Sequence, residues 1–414
     1  MKTVKLSSLG TMRNGMNYGK SSVTSGCKII GVADFGNRVF PDYNTLAEID
    51  ASIVSPGDLL QNGDILFVRS NGNKNLVGRT LYICDVQEPI CYSGFCIAFR
   101  PNTELVCPEY LFYVLRSPFC KKQYSYSQQT NITNLSQDIL GSVEVPVPDL
   151  ATQYTLANIL SSIDKKIQLN LQICNEYETM GKAIYDQWFT QFDFPGADGK
   201  PYRSYGGVME WNTQLNRSIP KGWSIGAISS LMKIENTSVN PKKCGNTVME
   251  HYSIPAFDVD RCPAYEEAHT IESGKYAVDP ECILISKLNP HFKRLWDPFC
   301  DTENAICSTE FIVYRPRTAW MRPFCYAVLN SDAFYIHMSN KATASTGSRK
   351  RIQPDVSASF ELPIPDEDTM RSFVKLYGPI MEKQKALYKE NRELTKLRDW
   401  LLPMLMNGQA TVTE

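Results

Sequence analysis

Polar clusters that could contact nucleic acid occur twice along the chain, each after a short apolar run. One cluster follows Val68 and spans residues 69–79, and the other spans residues 287–294. Two further polar loops come later in the chain, at residues 125–136 and at residues 341–351, and the latter has four basic residues and no acidic one. Arg and Lys neutralise phosphates, while Arg, Asn, Gln, Ser and Thr can hydrogen-bond to base edges. These four loops are therefore candidates for reading DNA.

We predict DNA contacts from both halves of the chain. In the first half the candidates are Arg69, Ser70, Asn71, Asn73, Lys74, Arg79, Gln128, Gln129, Thr130 and Asn131. In the second half they are Lys287, Asn289, His291, Lys293, Arg294, Thr346, Ser348, Arg349, Lys350 and Arg351. Ordinary solvated loops are the alternative interpretation. The paired occurrence of the loops at matching positions favours the functional one.

Motifs typical of catalysis are incomplete in this chain. Asn289-Pro290-His291-Phe292 is close to the segment with which adenine methyltransferases hold a flipped base, but the chain has no Pro-Pro pair and no matching cofactor loop. Gly15 lies one residue too close to Gly19-Lys20-Ser21 for a phosphate-binding loop. Pro148-Asp149 with Asp164-Lys165-Lys166 matches a loose nuclease pattern, but a charged helix face explains Asp164 and Lys166 better. No histidine or cysteine spacing fits a metal site, so we expect no catalytic residues and no metal.

The composition is that of a globular protein without a strong overall charge. The 414 residues are 43% hydrophobic and 21% charged, and 43 basic residues against 44 acidic ones give a net charge of −1. That balance argues against coating nucleic acid by bulk charge, but it allows local basic patches. No apolar stretch approaches the roughly 20 residues of a membrane span, and the N-terminus lacks the apolar core of a signal peptide. Thirteen dispersed cysteines without a CxxC pair indicate reduced, mostly buried thiols, so we expect a cytoplasmic protein.

The sequence repeats itself once. Five segments recur in the same order at an offset of about 214 to 222 residues, which indicates a tandem duplication of one unit of roughly 200 residues. Before each Pro-x-Pro-Asp, short runs rich in Val, Ile, Tyr and Phe predict strands; after it, about 40 residues predict one long helix, with Asp149 or Asp366 as its N-cap. The matching segments are Leu6–Leu9 with Ile228–Leu231, Gly63–Leu66 with Glu281–Leu284, Phe99–Pro101 with Tyr314–Pro316, Val114–Ser117 with Val328–Ser331, and Val145–Asp149 with Leu362–Asp366.

The two predicted helices have the 4-3-4-3 spacing of a coiled coil. An average spacing of 3.5 residues predicts a seam between two helices, and the duplication favours an antiparallel pair about a pseudo-twofold axis. Two long helices, each packed on its own globular domain, are the alternative. We expect Asn170 and Asn391 to face each other and fix the register. The predicted seam residues are Leu160, Ile163, Ile167, Asn170, Tyr177, Ile184, Trp188, Tyr377, Ile380, Leu387, Asn391, Leu394 and Leu401.

The predicted fold class is α+β, with two β-rich globular domains in tandem joined by two long helices. The Gly- and Pro-containing linker between the halves includes Tyr202, Tyr205 and Trp211, which we expect to pack against the protein. The predicted segments are a first globular domain (1–150), a first long helix (151–192), the linker (193–222), a second globular domain (223–366), a second long helix (367–408) and a tail (409–414).

This organisation resembles the specificity subunit of type I restriction–modification systems, and the likeness covers essentially the whole chain. Residues 185–189 and 192–196 are similar to the central conserved region of that family, as is the passage from Trp211-Asn212 to residues 219–223. Residues 397–408 are similar to its distal conserved region. One departure is that the first half begins Val4-Lys5-Leu6, without the tryptophan that opens the second half at Trp223.

The resemblance implies a non-catalytic subunit in which each globular domain, a target-recognition domain, binds one half of a split DNA target. It also implies that the coiled coil docks two adenine methyltransferase subunits and that restriction subunits join them. S-adenosylmethionine, ATP and magnesium would then belong to those partners, and this chain would hold no cofactor. Two alternatives stay open at this stage: a protein- or peptide-binding scaffold, and a duplicated hydrolase using carboxylates such as Asp34 and Asp258.

Overall fold

The structure is a computed structural model that describes residues 3–19, 25–36, 38–73, 76–125, 134–344 and 349–406. The chain divides into two compact units. The first unit contains residues 1–168 together with residues 393–414, and the second unit contains residues 169–392.

The first unit is built on a four-stranded antiparallel sheet in the order β2-β8-β5-β6. A three-stranded sheet, β4-β3-β7, contains one parallel pair, β3 with β7, and β1 pairs with β9. The strands are β1 Thr3–Lys5, β2 Gly10–Asn14, β3 Cys27–Ile30, β4 Ala47–Ile49, β5 Ile65–Val68, β6 Thr80–Tyr82, β7 Ile90–Tyr92, β8 Cys96–Pro101 and β9 Glu144–Pro146.

Helix α1 supplies the largest part of the first unit's helical core, because its six residues from Tyr110 to Leu115 are all buried. Helix α4 begins directly after Asp149, whose Oδ1 accepts the Thr152 backbone N–H at 2.9 Å, so the predicted N-cap is confirmed. The helices are α1 Pro108–Arg116, α2 Pro118–Ser125, α3 Gln137–Gly141 and α4 Leu150–Tyr185.

The second unit repeats this arrangement of strands. Its four-stranded antiparallel sheet has the order β13-β21-β18-β19, and a five-stranded sheet has the order β14-β17-β20-β15-β16, with β15 and β20 parallel. The strands are β10 Met209–Asn212, β11 Arg217–Pro220, β12 Ser224–Ala227, β13 Met232–Ile234, β14 Ser238–Val239, β15 Val248–Tyr252, β16 Ala264–Glu267, β17 Lys275–Ala277, β18 Ile283–Ser286, β19 Leu295–Trp296, β20 Ala305–Ser308, β21 Phe311–Pro316, β22 Thr343–Ala344, β23 Lys350–Arg351 and β24 Glu361–Ile364.

An aromatic cluster closes the core of the second unit where the first long helix ends. A π-helical turn, Asp186–Thr190, buries the adjacent residues Trp188 and Phe189, and the Phe189 ring packs 4.9 Å from that of Phe373. A π turn shifts the helical phase, so two neighbouring side chains can face one core. The helices are α5 Ile228–Leu231, α6 Ile254–Asp260, α7 Arg322–Asn330, α8 Asp332–Lys341, α9 Pro354–Ala358 and α10 Glu367–Met406.

The predicted duplication is visible element by element. All five pairs of matching segments fall on equivalent elements. Phe99–Pro101 and Tyr314–Pro316 end strands β8 and β21, and the two Pro-x-Pro-Asp segments include the ends of β9 and β24. Asp366 caps α10 as Asp149 caps α4, accepting the Thr369 N–H at 2.8 Å. The α+β fold with two long helices and sheets in both halves is therefore confirmed.

The two long helices pack antiparallel within each unit. In the second unit Asn170 Nδ2 donates to Asn391 Oδ1 at 2.8 Å, and Gln384 Nε2 donates to the carbonyl of Cys174 at 2.9 Å. Both asparagines are buried, so the prediction that they face each other is confirmed. In the first unit the equivalent contact is ionic, because Arg398 Nη1 donates to Asp164 Oδ1 at 2.7 Å.

The buried stripe on these helices is broader than the predicted seam. Met381, Tyr388 and Leu402 are buried, while their predicted neighbours are only half-buried, because these side chains also pack into the core of their own unit. The two interpretations therefore hold together: each helix is both a partner in the pair and a core element. Of the predicted seam, Leu160, Ile163, Asn170, Trp188, Tyr377 and Asn391 are buried, and Ile167, Tyr177, Ile184, Ile380, Leu387, Leu394 and Leu401 are half-buried.

The linker is ordered, but the prediction for two of its aromatic residues is wrong. Phe194 is buried and stacks on Tyr202 at 4.7 Å, which ties the start of the linker to the second unit. Tyr205 and Trp211 are 67% and 63% exposed, because the β10-β11 hairpin presents Trp211 outward. The linker is thus anchored by the phenylalanine and not by the tryptophan.

The thirteen cysteines are all free, and ten of them are buried, as predicted. Among the described helices, none combines the length and the apolar character needed to cross a membrane.

Candidate nucleic-acid interface

In the first unit the two predicted loops meet at the end of strand β5. The Leu135 N–H donates to the carbonyl of Arg69 at 2.8 Å, and Ser70 forms an antiparallel bridge with Asn134. The Arg69 N–H in turn donates to the carbonyl of Phe95 at 2.8 Å, in the turn before β8. Three chain segments therefore converge at one end of the inner strands β5 and β8 of the four-stranded sheet.

The second unit has the same junction at the end of strand β18. The Ile352 N–H donates to the carbonyl of Lys287 at 3.1 Å, and Leu288 forms an antiparallel bridge with Arg351. The Lys287 N–H donates to the carbonyl of Glu310 at 2.9 Å, in the turn between β20 and β21. The duplicated positions predicted from the sequence thus come together in space, once in each unit.

Three basic residues of the second junction are neutralised by carboxylates. Lys293 Nζ lies 2.6 Å from Asp332 Oδ1, whose second oxygen binds Lys182. Arg294 donates from Nε and Nη2 to Asp258 at 2.6 and 2.9 Å. Arg351 donates from Nε and Nη2 to Glu310 at 3.0 and 2.9 Å, and this hydrogen bonding lowers the pKa of Glu310. The loop is therefore less cationic than its sequence indicates.

Cations without an ion-pair partner lie at both ends of the later loop. Lys341, Arg349 and Lys350 are exposed, and within the described part of the chain none of them forms an ion pair. Lys287 is half-buried and His291 is exposed beside Phe292, with 4.2 Å between the ring centroids. Exposed cations without a carboxylate partner are suited to phosphate contacts.

Some predicted contact residues shape the loops. Asn289 has a left-handed backbone (φ 48°), and its Oδ1 accepts the Lys350 N–H at 3.0 Å, so its side chain joins the two loops. Asn71 Oδ1 accepts the Asn73 N–H at 2.8 Å, and Arg79 Nη1 donates to the carbonyl of Gly36. The predicted residues Lys74, Gln128, Gln129, Thr130, Asn131, Thr346 and Ser348 lie outside the described residues. DNA contact by any of the candidates stays a prediction.

Sequence reasoning missed several residues at these junctions. Phe95, beside the first loop, and Phe292, within the loop at residues 287–294, are 61% and 53% exposed, and neither was among the predicted contact residues. The carboxylates Asp258, Glu310 and Asp332 were missed because they come from other segments of the second half. An aromatic residue in a tight turn between two apolar runs, as at Phe95, is a signal that could have been used.

The interpretation of Asp164 as part of a charged helix face is wrong. Its side chain is buried and accepts hydrogen bonds from Tyr113 Oη and Arg398 Nη1, each at 2.7 Å. The carboxylate is a structural acceptor in the first unit's core. In the described segments, no group of three or more His, Cys, Asp or Glu side chains is arranged to hold a metal ion.

Comparisons with known proteins give one consistent family. Residues 16–179 match the family model described as the type I restriction modification DNA specificity domain. The type I restriction enzyme HindI specificity subunit of Haemophilus influenzae is 22% identical, with 84% of this chain and 87% of that protein covered. The MjaIX specificity subunit of Methanocaldococcus jannaschii is 23% identical, with 88% of each covered.

A solved structure shows the same fold. The crystal structure of the type I restriction–modification system S subunit from M. genitalium is 14% identical and has a TM-score of 0.51, and the match covers 100% of this chain and 96% of that one. Over most of its length the chain is therefore similar to type I restriction–modification specificity subunits, and residues 16–179 match their DNA specificity domain.

Proposed function

We propose that this chain is the sequence-specific DNA-binding subunit of a type I restriction–modification complex, and that each unit binds one half of a split target. The observation that carries the proposal is the repeated junction. In both units the loop after an inner strand of the four-stranded sheet, β5 or β18, is hydrogen-bonded to the later polar loop. A protein-binding scaffold would not require this junction of polar loops to occur in both units, and the relatives are specificity subunits.

The charges at the junction indicate which residues would contact phosphates and which would contact bases. Exposed Arg349 and Lys350 are suited to the DNA backbone, since their charges are not cancelled by described carboxylates. A residue held by a neighbouring carboxylate, such as Arg351, is suited to base edges, where orientation matters more than net charge. The first unit has fewer cations at its junction, so its half-site would be bound more by hydrogen bonding.

The partners and cofactors belong to the same proposal. The chain acts with methylase and restriction subunits, and the long helices dock two adenine methyltransferase subunits. S-adenosylmethionine, ATP and magnesium bind to those partners, which carry the chemistry. The complex works in the cytoplasm, where its DNA substrate lies.

The test is to co-express this chain with an adenine methyltransferase subunit from the same host and to map methylated adenines in genomic DNA. We expect a two-part motif with a fixed spacer. Replacing residues 1–150 with the corresponding segment of a related specificity subunit should change one half of the motif only. The graft keeps α4 and α10, including Leu156, Leu160 and Leu402 of the first unit's core.

The matched control is the methyltransferase expressed without this chain, which should give no such motif. A swap that changes both halves, or neither half, would contradict one unit per half-site. Absence of any two-part motif with the unaltered chain would contradict the proposed function itself.

A further inference from the structure

The backbone of Arg351 is fixed on both sides. In strand β23 Arg351 pairs with Thr343 of β22, and its other edge bridges Leu288 after β18. The following residue, Ile352, is buried and donates its N–H to the carbonyl of Lys287 at 3.1 Å. A side chain on such a rigid support can be aimed accurately, unlike one on a free loop tip.

The Arg351 guanidinium is held from one side only. Nε and Nη2 donate to the two oxygens of Glu310 at 3.0 and 2.9 Å, so the side of the fork-shaped guanidinium that carries Nε and Nη2 is occupied. The end of the fork, Nη1 with the second Nη2 hydrogen, has no hydrogen-bond acceptor among the described residues. That end carries two parallel donors, the geometry that matches O6 and N7 of guanine in the major groove.

Arg294 makes the same side-on contact, to Asp258, but its surroundings differ. Its side chain is only 14% exposed, and its guanidinium lies 5.0 Å from the Phe292 ring. The Arg351 side chain is 36% exposed. Of the two carboxylate-held arginines of this junction, Arg351 is therefore the one open to a ligand.

We propose that Arg351 reads a guanine in the half-site bound by the second unit, and that Glu310 is a positioning residue that orients its guanidinium. The inference rests on the proposed function. Because the pair is neutral, it adds little to phosphate attraction and contributes mainly base preference.

The first unit carries different side chains at the equivalent positions. Asn134 bridges Ser70 where Arg351 bridges Leu288, and Phe95 supplies the carbonyl that Glu310 supplies in the second unit. Neither residue can form the arginine–carboxylate pair. The guanine contact is therefore specific to one half of the target, and the two half-sites differ at this base pair.

The test uses the full chain with its methyltransferase partner and selects bound duplexes from a randomised DNA library, followed by sequencing. The unaltered complex should enrich a two-part motif with a guanine in one half. Arg351→Lys keeps the charge but loses the fork, so preference for that guanine should fall about five- to 150-fold while the other half-site is unchanged. Glu310→Gln should reduce the same preference, since its amide nitrogen cannot accept from the guanidinium.

Lys350→Gln is the matched control, since it alters the adjacent exposed cation. It should lower overall affinity and leave the guanine preference intact. Thermal melting of each variant checks that the fold is kept. The inference is overturned if Arg351→Lys retains the preference, or if neither half-site of the unaltered complex contains a guanine. Failure to enrich any two-part motif is a different result, and it removes the proposed function as well.

Discussion

Burying the asparagine pair in the helical interface lowers the stability of the fold, and the hydrogen bonds of the pair offset only part of that loss. Asn170 is fully buried, and its Nδ2 donates both to Asn391 and to Glu390 Oε2 at 2.8 Å, while its own Oδ1 has no partner among the described residues. Buried polar atoms without partners are destabilising, so such a pair is kept for the register it selects rather than for stability.

Removing one member should therefore be worse than removing both. Asn170→Ala takes the hydrogen bond from buried Asn391 Oδ1 and should lower the free energy of unfolding by about 1–3 kcal/mol. The double variant Asn170→Leu/Asn391→Leu should recover most of that loss. Urea denaturation measures both. Asn175→Ala, at an exposed asparagine of the same helix, is the control and should change little. A double variant less stable than Asn170→Ala would contradict this account.

The cysteines differ in accessibility, and this can be measured directly. Cys84, Cys244 and Cys300 are the three half-buried thiols, and burial raises the pKa of Cys84 and Cys300 to about 12. Since the thiolate is the nucleophile, iodoacetamide at about pH 8 should modify Cys244 first in the native protein. Peptide mass spectrometry over a time course provides the readout. In denaturant all thirteen should react alike; earlier native reaction at buried Cys307 would disprove the ranking.

At this scale the sequence identifies residues whose partners are near in the chain. Asp149 and Asp366 were predictable as caps, because the N–H groups that they accept lie three residues away. Glu310 was not predictable as the partner of Arg351, because 41 residues separate them and only the sheet brings them together. Asp164 was assigned to the wrong environment for the same reason, since its partner Arg398 is 234 residues distant.

At the scale of elements, Gly181 sets how closely the two long helices approach in the second unit. A Cβ atom built there would overlap the Tyr377 ring, lying 2.9 Å from its Cζ atom. Glycine normally weakens a helix, so its presence at this position is explained by the contact and not by propensity.

Two glycine substitutions should consequently have opposite effects. Gly181→Ala gains helix propensity but overpacks against Tyr377, and we expect a net loss of about 1–2 kcal/mol in stability. Gly378→Ala, in the second long helix, meets only Pro323 at an ordinary 3.5 Å and should stabilise by about 0.5–1 kcal/mol. Thermal melting of the two variants side by side checks the sign. Stabilisation by Gly181→Ala would mean that Tyr377 can move away.

The helices were predictable as elements, but the residues they bury were not. The 4-3-4-3 spacing predicted Leu387 and Leu401 as buried residues. The buried residues are instead their neighbours Tyr388 and Leu402, one position further along. A 3.5-residue repeat describes a helix that faces one partner. Here the globular cores cover a second side, because Tyr388 also packs with Cys262 and Phe299. Nothing in the helical sequence alone reveals which side that is.

For the whole molecule, a net charge of −1 is compatible with DNA binding because some basic residues form ion pairs with carboxylates and others do not. Carboxylates neutralise Lys293, Arg294 and Arg351 at the second junction, while Arg349 and Lys350 are exposed. A few exposed charges give weak attraction, which suits a subunit whose partners also contribute to holding DNA.

The salt dependence of DNA binding should follow those two residues. Arg349→Gln/Lys350→Gln should lower affinity and reduce the slope of log K against log salt by about 0.9 for each phosphate that the protein no longer neutralises. Fluorescence anisotropy with duplex DNA over a range of salt concentrations measures it. Lys375→Gln/Lys383→Gln removes equal charge from exposed positions of α10 and should leave the slope unchanged. Equal effects of both double variants would indicate bulk charge instead of a local contact.

The composition of the two units also has a consequence for how the chain is made. The second unit is one continuous stretch, residues 169–392, whereas the first unit needs residues 393–406 to complete it, with Leu402 and Leu405 in its core and Arg398 on Asp164. The first unit, although its main segment comes first in the chain, can therefore be completed only once the last turns of α10 have been made. A chain that ended before residue 393 would keep every residue of the second unit and lose part of the first unit's core.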